Sequence, residues 1–180
     1  IKVIVNHNKS AVDGINNAAR VSSGEILIVV SDDTDTVKGW DKVISQATGT
    51  HVDFVLKVHD GIQDWIVTMP IMDRVYYERF GYIYYPEYQH MFCDTHLTHV
   101  AHALGRLIIR NDITIPHLHY SVNRSEKDDV TKRADNTFNE GKNIYLRLLR
   151  QNLLLDQSVN IWHLSRQAKS HVTWLNNVRR

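Results

Sequence analysis

Uninterrupted aliphatic runs alternate with amphipathic segments over the first third of the chain. This pattern predicts strands at 1–5, 26–31 and 53–58, with helices at 11–22 and 41–48 between them. Strands this continuously apolar are typical of positions buried on both faces of a sheet. The first helix is long enough to cross over between parallel strands. We therefore expect an α/β protein in which the three strands are parallel neighbours in one mixed, mostly parallel sheet with helices on both faces.

The later part of the chain becomes mainly helical. Further strands are predicted at 66–69, 106–110 and 113–119, and helices at 73–80, 94–104, 143–155 and 158–178. Several ends are marked by capping residues, with Ser10 and Asp94 at N-cap positions and Gly49 and Gly81 after the last helical residues. These signals predict compact helices packed against the sheet.

Composition and charge narrow the class of protein. The 180 residues are 43% hydrophobic with a formal net charge of +1, which predicts a folded domain without a bulk attraction to nucleic acid. The single Cys93 excludes an internal disulfide and fits a reducing compartment, so we expect a cytoplasmic protein. The C-terminal helix has no acidic residue after Asp156. It either packs on its own domain or makes a peripheral contact with a membrane surface.

An acidic turn directly follows the second predicted strand. Asp32, Asp33 and Asp35 fall within four residues, although clustered carboxylates repel each other and resist burial. Oxygen ligands at the carboxyl end of a strand are a common way to hold a divalent cation beside a phosphate group. The alternative is an acidic turn that ends the strand and caps the next helix.

Histidines occur in two groups. His117 and His119 lie two residues apart on a predicted strand, so that both imidazoles face the same side. They either complete a metal site begun by the acidic turn or lie on an edge strand marked by the preceding proline. The other group follows Asp94 on its helix at a spacing of three residues, which indicates a solvated polar face rather than a zinc site. Its members are His96, His99 and His102.

An aromatic segment precedes the helix that begins near Asp94. Rings at this density either form core packing or provide a surface on which a sugar ring stacks. The members of the segment are Tyr82, Tyr84, Tyr85, Tyr88 and Phe92.

Taken in order, several segments resemble GT-A glycosyltransferases of the family 2 type. The matching segments are 14–19, 23–33, 39–40, 70–74, 93–94 and 116–120. They resemble, in turn, a Gly…Ala-x-Asn helix, a Gly-Glu strand lead-in with an Asp-x-Asp-type metal motif, a Gly-Trp segment, the acceptor-side region and a histidine-bearing strand. Ser31 stands where the first Asp of the motif is expected, whereas Asp33–Thr34–Asp35 restores the pattern two residues later.

The resemblance implies a partial GT-A catalytic domain at 1–125 and a packed helical extension at 126–180. Members of the family carry further N-terminal strands that build much of the nucleotide pocket. The sequence, which begins at Ile1, does not include these strands, so we expect that the chain is a fragment, that another chain supplies this half, or that the protein binds its donor differently.

The resemblance also implies roles for particular residues. Mn²⁺ or Mg²⁺ would be held by Asp32 or Asp33 with help from His117 or His119, and Asp94 would be the general base of an inverting transfer. The implied partners are a nucleotide-sugar donor and a glycan or other hydroxyl acceptor. The remaining implied site residues are Asn17 beside the donor, and Trp65, Tyr84 and Tyr85 at the acceptor.

Two other functions are compatible with the same residues. A metal-dependent phosphoester hydrolase would use the Asp and His residues to activate water. A noncatalytic carbohydrate-binding remnant of a glycosyltransferase would keep the aromatic segment but not the transfer reaction.

Overall fold

The computed structural model describes residue 5 and residues 7–118, 129–161 and 164. The predicted strand at 1–5 and helix at 158–178 lie largely outside these residues. The elements, in chain order, are α1 (Ala11–Val21), β1 (Ile26–Ile28), α2 (Trp40–Thr48), β2 (Val55–His59), β3 (Ile71–Asp73), α3 (Arg74–Phe80), α4 (Cys93–Ala103), β4 (Leu107–Thr114), α5 (Asp129–Asn136) and α6 (Phe138–Arg150), followed by a short 3₁₀ turn, Asn152–Leu154.

The described strands form one four-stranded mixed sheet in the order β1-β3-β2-β4. β3 is antiparallel to both β1 and β2, and only β2 and β4 are parallel. The mixed α/β class is confirmed, whereas the expectation of a mostly parallel sheet with β1 beside β2 is wrong. The strand predicted at 66–69 forms at Ile71–Asp73 instead, directly after Pro70, whose missing N–H falls before the ladder. This strand pairs with both β1 and β2 and so separates them. β1 and β2 still run in the same direction.

The sheet separates two apolar cores, and this arrangement follows from the alternation of side chains along each strand. Val55 and Met72 face the core that contains α1, α3, α4 and α6. Leu56 and Ile71 face the smaller core that contains Ile44 of α2. Helices therefore lie on both faces, as predicted.

Capping residues fix several helix ends. The Ser10 hydroxyl accepts a hydrogen bond from the Asp13 amide at the start of α1. Gly49 and Gly81 follow α2 and α3 with positive φ, a conformation that side chains disfavour. The N-cap prediction for Asp94 is wrong. α4 begins at Cys93, one residue earlier, and its N-cap is Phe92 in a left-handed conformation.

The histidines of α4 do not form a solvated face. His96 is 3% exposed and His99 is fully buried. The expectation failed because other parts of the chain cover both rings. The Tyr145 hydroxyl of α6 lies 2.5 Å from Nδ1 of His99, and the Tyr85 and Tyr88 rings pack on His96 at centroid distances of 5.6 Å. His102 is half-buried against the ring of Trp65, at a centroid distance of 5.1 Å.

Gly141 allows α6 to lie directly against the chain that precedes α4. A Cβ atom at this position would lie 2.2 Å from the carbonyl oxygen of Met91. We predict that Gly141→Ala lowers the free energy of unfolding by about 2 kcal/mol, because the backbone must shift to relieve the clash. Without a clash, Ala inside a helix is more stable than Gly by about 1 kcal/mol.

Urea unfolding of the variant checks this prediction. Asn143→Ala is the matched control, since Asn143 is exposed on the same helix. The control should be neutral or slightly stabilising. A Gly141→Ala protein as stable as the control would contradict the packing of α6 described above.

Candidate functional site

The acidic turn lies at the edge of the sheet where β1, β2 and β4 end. Main-chain hydrogen bonds join it to the segment after β4, with the Asp35 amide donating to the Pro116 carbonyl and the Leu118 amide donating to the Asp33 carbonyl, both at 2.8 Å. The His117 amide donates in turn to the Asp60 carbonyl at the end of β2, also at 2.8 Å. Three segments that are distant in sequence are therefore held together at one edge.

Asp33 and His117 are in direct contact at this edge. The Asp33 Oδ2 atom lies 2.8 Å from Nε2 of His117, and the Ser31 hydroxyl donates to Asp33 Oδ1 at 2.5 Å. Partial burial pushes the pKa of Asp33 upward, but the Ser31 hydrogen bond and the charge and hydrogen bond of His117 outweigh it, so the pKa lies below its ordinary value. Asp33 is therefore a carboxylate at neutral pH. Both side chains keep part of their surface open to solvent.

The structure brings together only some of the predicted metal ligands. Asp33 and His117 form a pair, Asp32 is exposed on the turn beside them, and His119 lies outside the described residues. Within the ranges that the structure describes, no group of three His, Cys, Asp or Glu side chains is arranged to hold a metal ion. Asp33 and His117 are thus the two predicted ligands that the structure places in contact.

Two such ligands fit a cation that is completed by a substrate. Mg²⁺ in nucleotide-dependent sites is usually held by one or two carboxylates, with substrate phosphates and water supplying the other ligands. An imidazole ligand favours Mn²⁺ over Mg²⁺. Asp33 Oδ2 and His117 Nε2 are hydrogen-bonded to each other, so a cation held by both atoms would have to replace this hydrogen bond.

A polar loop at residues 60–68 follows β2 and contacts His117 through the hydrogen bond between the His117 amide and the Asp60 carbonyl. The sequence analysis did not predict this loop. The Asp60 carboxylate is buried and accepts hydrogen bonds from the Ile62 and Gln63 amides at 2.8 and 2.6 Å. Lys57 donates from its buried side chain to the Gln63 carbonyl and to Asn111. Burial lowers the pKa of Lys57 despite nearby carboxylates. The sequence feature that could have indicated this loop is Lys57, a lysine inside an otherwise apolar strand.

The far end of the same loop rests on α4, the helix that carries Asp94. The Val67 amide donates to the Thr98 hydroxyl at 2.9 Å, and this hydroxyl donates to the Asp94 carbonyl at 2.7 Å. The Trp65 ring packs on the His99 and His102 rings of α4. One loop thus links the Asp33–His117 edge to the start of α4.

Asp94 lies in the first turn of α4 and is partly exposed. Its Oδ1 atom accepts a hydrogen bond from the Thr95 amide at 2.6 Å. The negative charge also contributes to raising the pKa values of the neighbouring Tyr84 and Tyr88 phenols, where burial is the main cause.

The aromatic segment is mostly core. Tyr84 and Tyr88 are buried, whereas Tyr85 is half-buried and donates a hydrogen bond to Glu87 at 2.7 Å. Trp65 is half-buried, and its indole Nε1 atom is buried without a hydrogen-bond partner in the described part of the chain. Among the three predicted acceptor residues, Trp65 and Tyr85 therefore keep accessible surface and Tyr84 does not.

The predicted donor residue Asn17 lies on α1, where it donates to Asn8 at 2.9 Å and accepts a hydrogen bond from Arg20. Its neighbour Asn16 has the larger structural role. The Asn16 side chain accepts hydrogen bonds from the Ile83 and Tyr84 amides and donates to the Tyr84 carbonyl. It fixes the aromatic segment to α1.

Comparisons with protein-family models, with curated proteins and with solved structures find no match to this chain. Within the described residues, no helix is both long enough and apolar enough to cross a membrane.

Proposed function

We propose that the chain is part of a metal-dependent glycosyltransferase of the GT-A, family 2 type, which moves a sugar from a nucleotide-sugar donor to an acceptor hydroxyl. The observation that carries the proposal is the contact between Asp33 and His117, which are 84 residues apart in sequence. The segments that resemble the family's metal motif and its histidine-bearing strand are thereby adjacent. The loop at residues 60–68 contacts both this edge and α4, the helix that carries Asp94.

The chain's own residues supply binding and proton transfer. Asp33, ionised and oriented by Ser31, and His117, held by its main-chain bond to Asp60, would bind the cation. A bound Mn²⁺ or Mg²⁺ supplies positive charge that stabilises a leaving diphosphate. Asp32 extends from the same turn as a further carboxylate.

Asp94 is the proposed general base. Its carboxylate takes the proton of the acceptor hydroxyl as that oxygen forms a bond to the anomeric carbon, and the nucleoside diphosphate leaves with the electron pair of the broken bond. Attack by the acceptor in a single displacement inverts the anomeric centre. Trp65 and Tyr85 offer apolar ring surface for the acceptor.

Cation binding is the first test of the proposal. We predict that the chain binds Mn²⁺ more tightly when UDP or GDP is present, because the diphosphate supplies the missing ligands. Asp33→Ala and His117→Ala should each weaken Mn²⁺ binding by about tenfold or more, as is typical for groups that hold or orient a metal. Isothermal titration calorimetry measures the affinities.

Asp112→Ala is the matched control, since Asp112 is an exposed aspartate on β4 paired with Arg110. It should bind Mn²⁺ as the native chain does. Equal affinities in the native and Asp33→Ala proteins would rule out the site. Mn²⁺ binding that is unaffected by either nucleotide would favour a hydrolase-type or unrelated metal site over the glycosyltransferase.

A further inference from the structure

The loop at residues 60–68 runs from the end of β2 toward β3 without a helix or strand of its own. Its two ends are joined to each other, because the Thr68 hydroxyl donates a hydrogen bond to the Asp60 carboxylate at 2.7 Å. The first end is also fixed by the two amides that donate to Asp60, and the far end by the bond from the Val67 amide to α4. These bonds leave the middle of the loop, which carries Trp65, to be held by other groups.

Lys57 holds the middle of the loop from β2. Its Nζ atom donates to the Gln63 carbonyl at 2.5 Å and to the side-chain oxygen of Asn111 at 2.9 Å. Asn111 in turn donates from its side chain to the Asp64 carbonyl at 3.1 Å. The two residues that precede Trp65 are therefore attached to β2 and β4 by one connected set of three hydrogen bonds.

An apolar side chain in place of Lys57 would suit the burial of this position better. Lys57 has no exposed surface, and its neighbours in β2 as far as Val58 are apolar. Its lowered pKa reflects the free-energy cost of taking an ammonium group out of water. Replacing buried charged groups by apolar residues of similar volume is often neutral or stabilising. An apolar residue, however, cannot donate hydrogen bonds to Gln63 and Asn111.

The segment held in this way leads directly into Trp65, whose ring packs on α4. The centroid of the ring lies 5.9 Å from that of His99 and 5.1 Å from that of His102. Trp65 is only half-buried, so part of its surface stays accessible. The position of the loop therefore decides where this accessible surface lies relative to Asp94 on the same helix.

We propose that Lys57 is a positioning residue, which together with Asn111 holds the loop at 60–68 so that the Trp65 ring is fixed beside α4 as part of the acceptor site. The positioning of Trp65 is a property of the chain itself. Its effect on an acceptor rests on the proposed glycosyltransferase function, so the two parts are tested by different measurements.

Lys57→Met tests the positioning, because methionine keeps a long side chain but donates no hydrogen bond. Measured by NMR on the whole chain, the Gln63 and Val67 amides should exchange with solvent at least tenfold faster, and the Trp65 indole ¹⁵N–¹H signal should move. The midpoint of urea unfolding should stay at or above the native value, since the buried charge is also removed. Leu56→Met is the matched control, at a fully buried neighbour on the other face of β2, and should leave the loop exchange and the indole signal unchanged.

Asn111→Ala provides a second variant in case Lys57→Met does not fold. Asn111 is exposed, so its loss should not disturb the core. Loop exchange should rise by a smaller factor, and the Trp65 indole signal should move in the same direction. Asp112→Ala, at the next exposed position of β4, is the control and should leave both measurements unchanged.

The effect on the acceptor is measured as sugar transfer in the longest natural chain that contains this sequence. We expect Lys57→Met to raise the KM for the acceptor at least fivefold, with kcat within twofold of the native value. Mn²⁺ affinity should be unchanged, because Asp33 and His117 contact each other at the edge of the sheet and not through the middle of the loop.

Unchanged loop exchange and an unmoved indole signal in Lys57→Met would overturn the positioning role. Faster exchange that only accompanies a lower unfolding midpoint would also overturn it, since Lys57 would then simply stabilise the fold. In an active protein with a loosened loop, an unchanged acceptor KM would overturn the role in acceptor binding. A native chain that transfers no sugar would contradict the proposed function instead, and the exchange and indole results would still confirm or refute the positioning of Trp65.

Discussion

Asp94→Asn should lower the rate of sugar transfer by about 10²–10⁴-fold, the usual contribution of general base catalysis. The amide cannot take the proton of the acceptor hydroxyl, so the loss should appear in kcat. Cation and nucleotide binding should persist, because Asp33 and His117 lie at the sheet edge on other elements. The Asn side-chain oxygen can still accept the hydrogen bond from the Thr95 amide, so the start of α4 should survive.

The assay measures transfer from a panel of nucleotide sugars to hydroxyl acceptors, in the longest natural chain that contains this sequence. Asp112→Asn is the control, since Asp112 is an exposed aspartate on β4 with no proposed role in cation binding or proton transfer. Transfer by Asp94→Asn at a near-native rate would remove Asp94 from the mechanism. Loss of Mn²⁺ binding in this variant would indicate a structural effect instead.

Local signals predicted α1, α2 and α3 well because their ends are decided by a few neighbouring residues, whereas the helix predicted at 143–155 in fact begins at Phe138 and ends at Arg150. Ser10 begins α1, and Gly49 and Gly81 end α2 and α3, as their capping preferences indicate. The order of the strands depends on long-range pairing, which aliphatic runs do not encode. Nothing in residues 71–73 alone shows that this short segment would separate β1 from β2.

Local sequence patterns predicted part of the candidate site, and long-range packing decided the rest. Asp33 was singled out by its position after an apolar strand and His117 by its place on a predicted strand two residues before His119, and the structure brings the two side chains into contact. The burial of His96 and His99 was not predictable from α4, because residues far along the chain cover them. Tyr145, for example, contacts His99 from 46 positions further along.

Asp73 connects β3, α3 and the start of β2 through one buried carboxylate. It is the N-cap of α3 and accepts a hydrogen bond from the Tyr76 amide at 2.9 Å. It also accepts hydrogen bonds from the Asp53 and Phe54 amides at 2.7 and 3.1 Å. Loss of this side chain would therefore leave three main-chain donors without their acceptor, in a region where water has little access.

We predict that Asp73→Ala lowers the free energy of unfolding by about 3 kcal/mol, from the loss of a cap at ~0.5–2 kcal/mol and the unsatisfied donors at ~1–3 kcal/mol. That is a large part of the ~5–15 kcal/mol that stabilises an ordinary domain. Urea unfolding should show a lower midpoint with an unchanged slope. Ser10→Ala is the matched control, because Ser10 caps α1 through a single amide and should cost about 1 kcal/mol.

Asp73→Asn refines the prediction, since its single side-chain oxygen can serve some of the three amides but not all. Its stability should fall between those of the native chain and Asp73→Ala. If Asp73→Ala were no less stable than Ser10→Ala, the three hydrogen bonds would not act together. The carboxylate would then be only a helix cap, and the join between β2, β3 and α3 would depend on the apolar contacts of Phe54 and Tyr76.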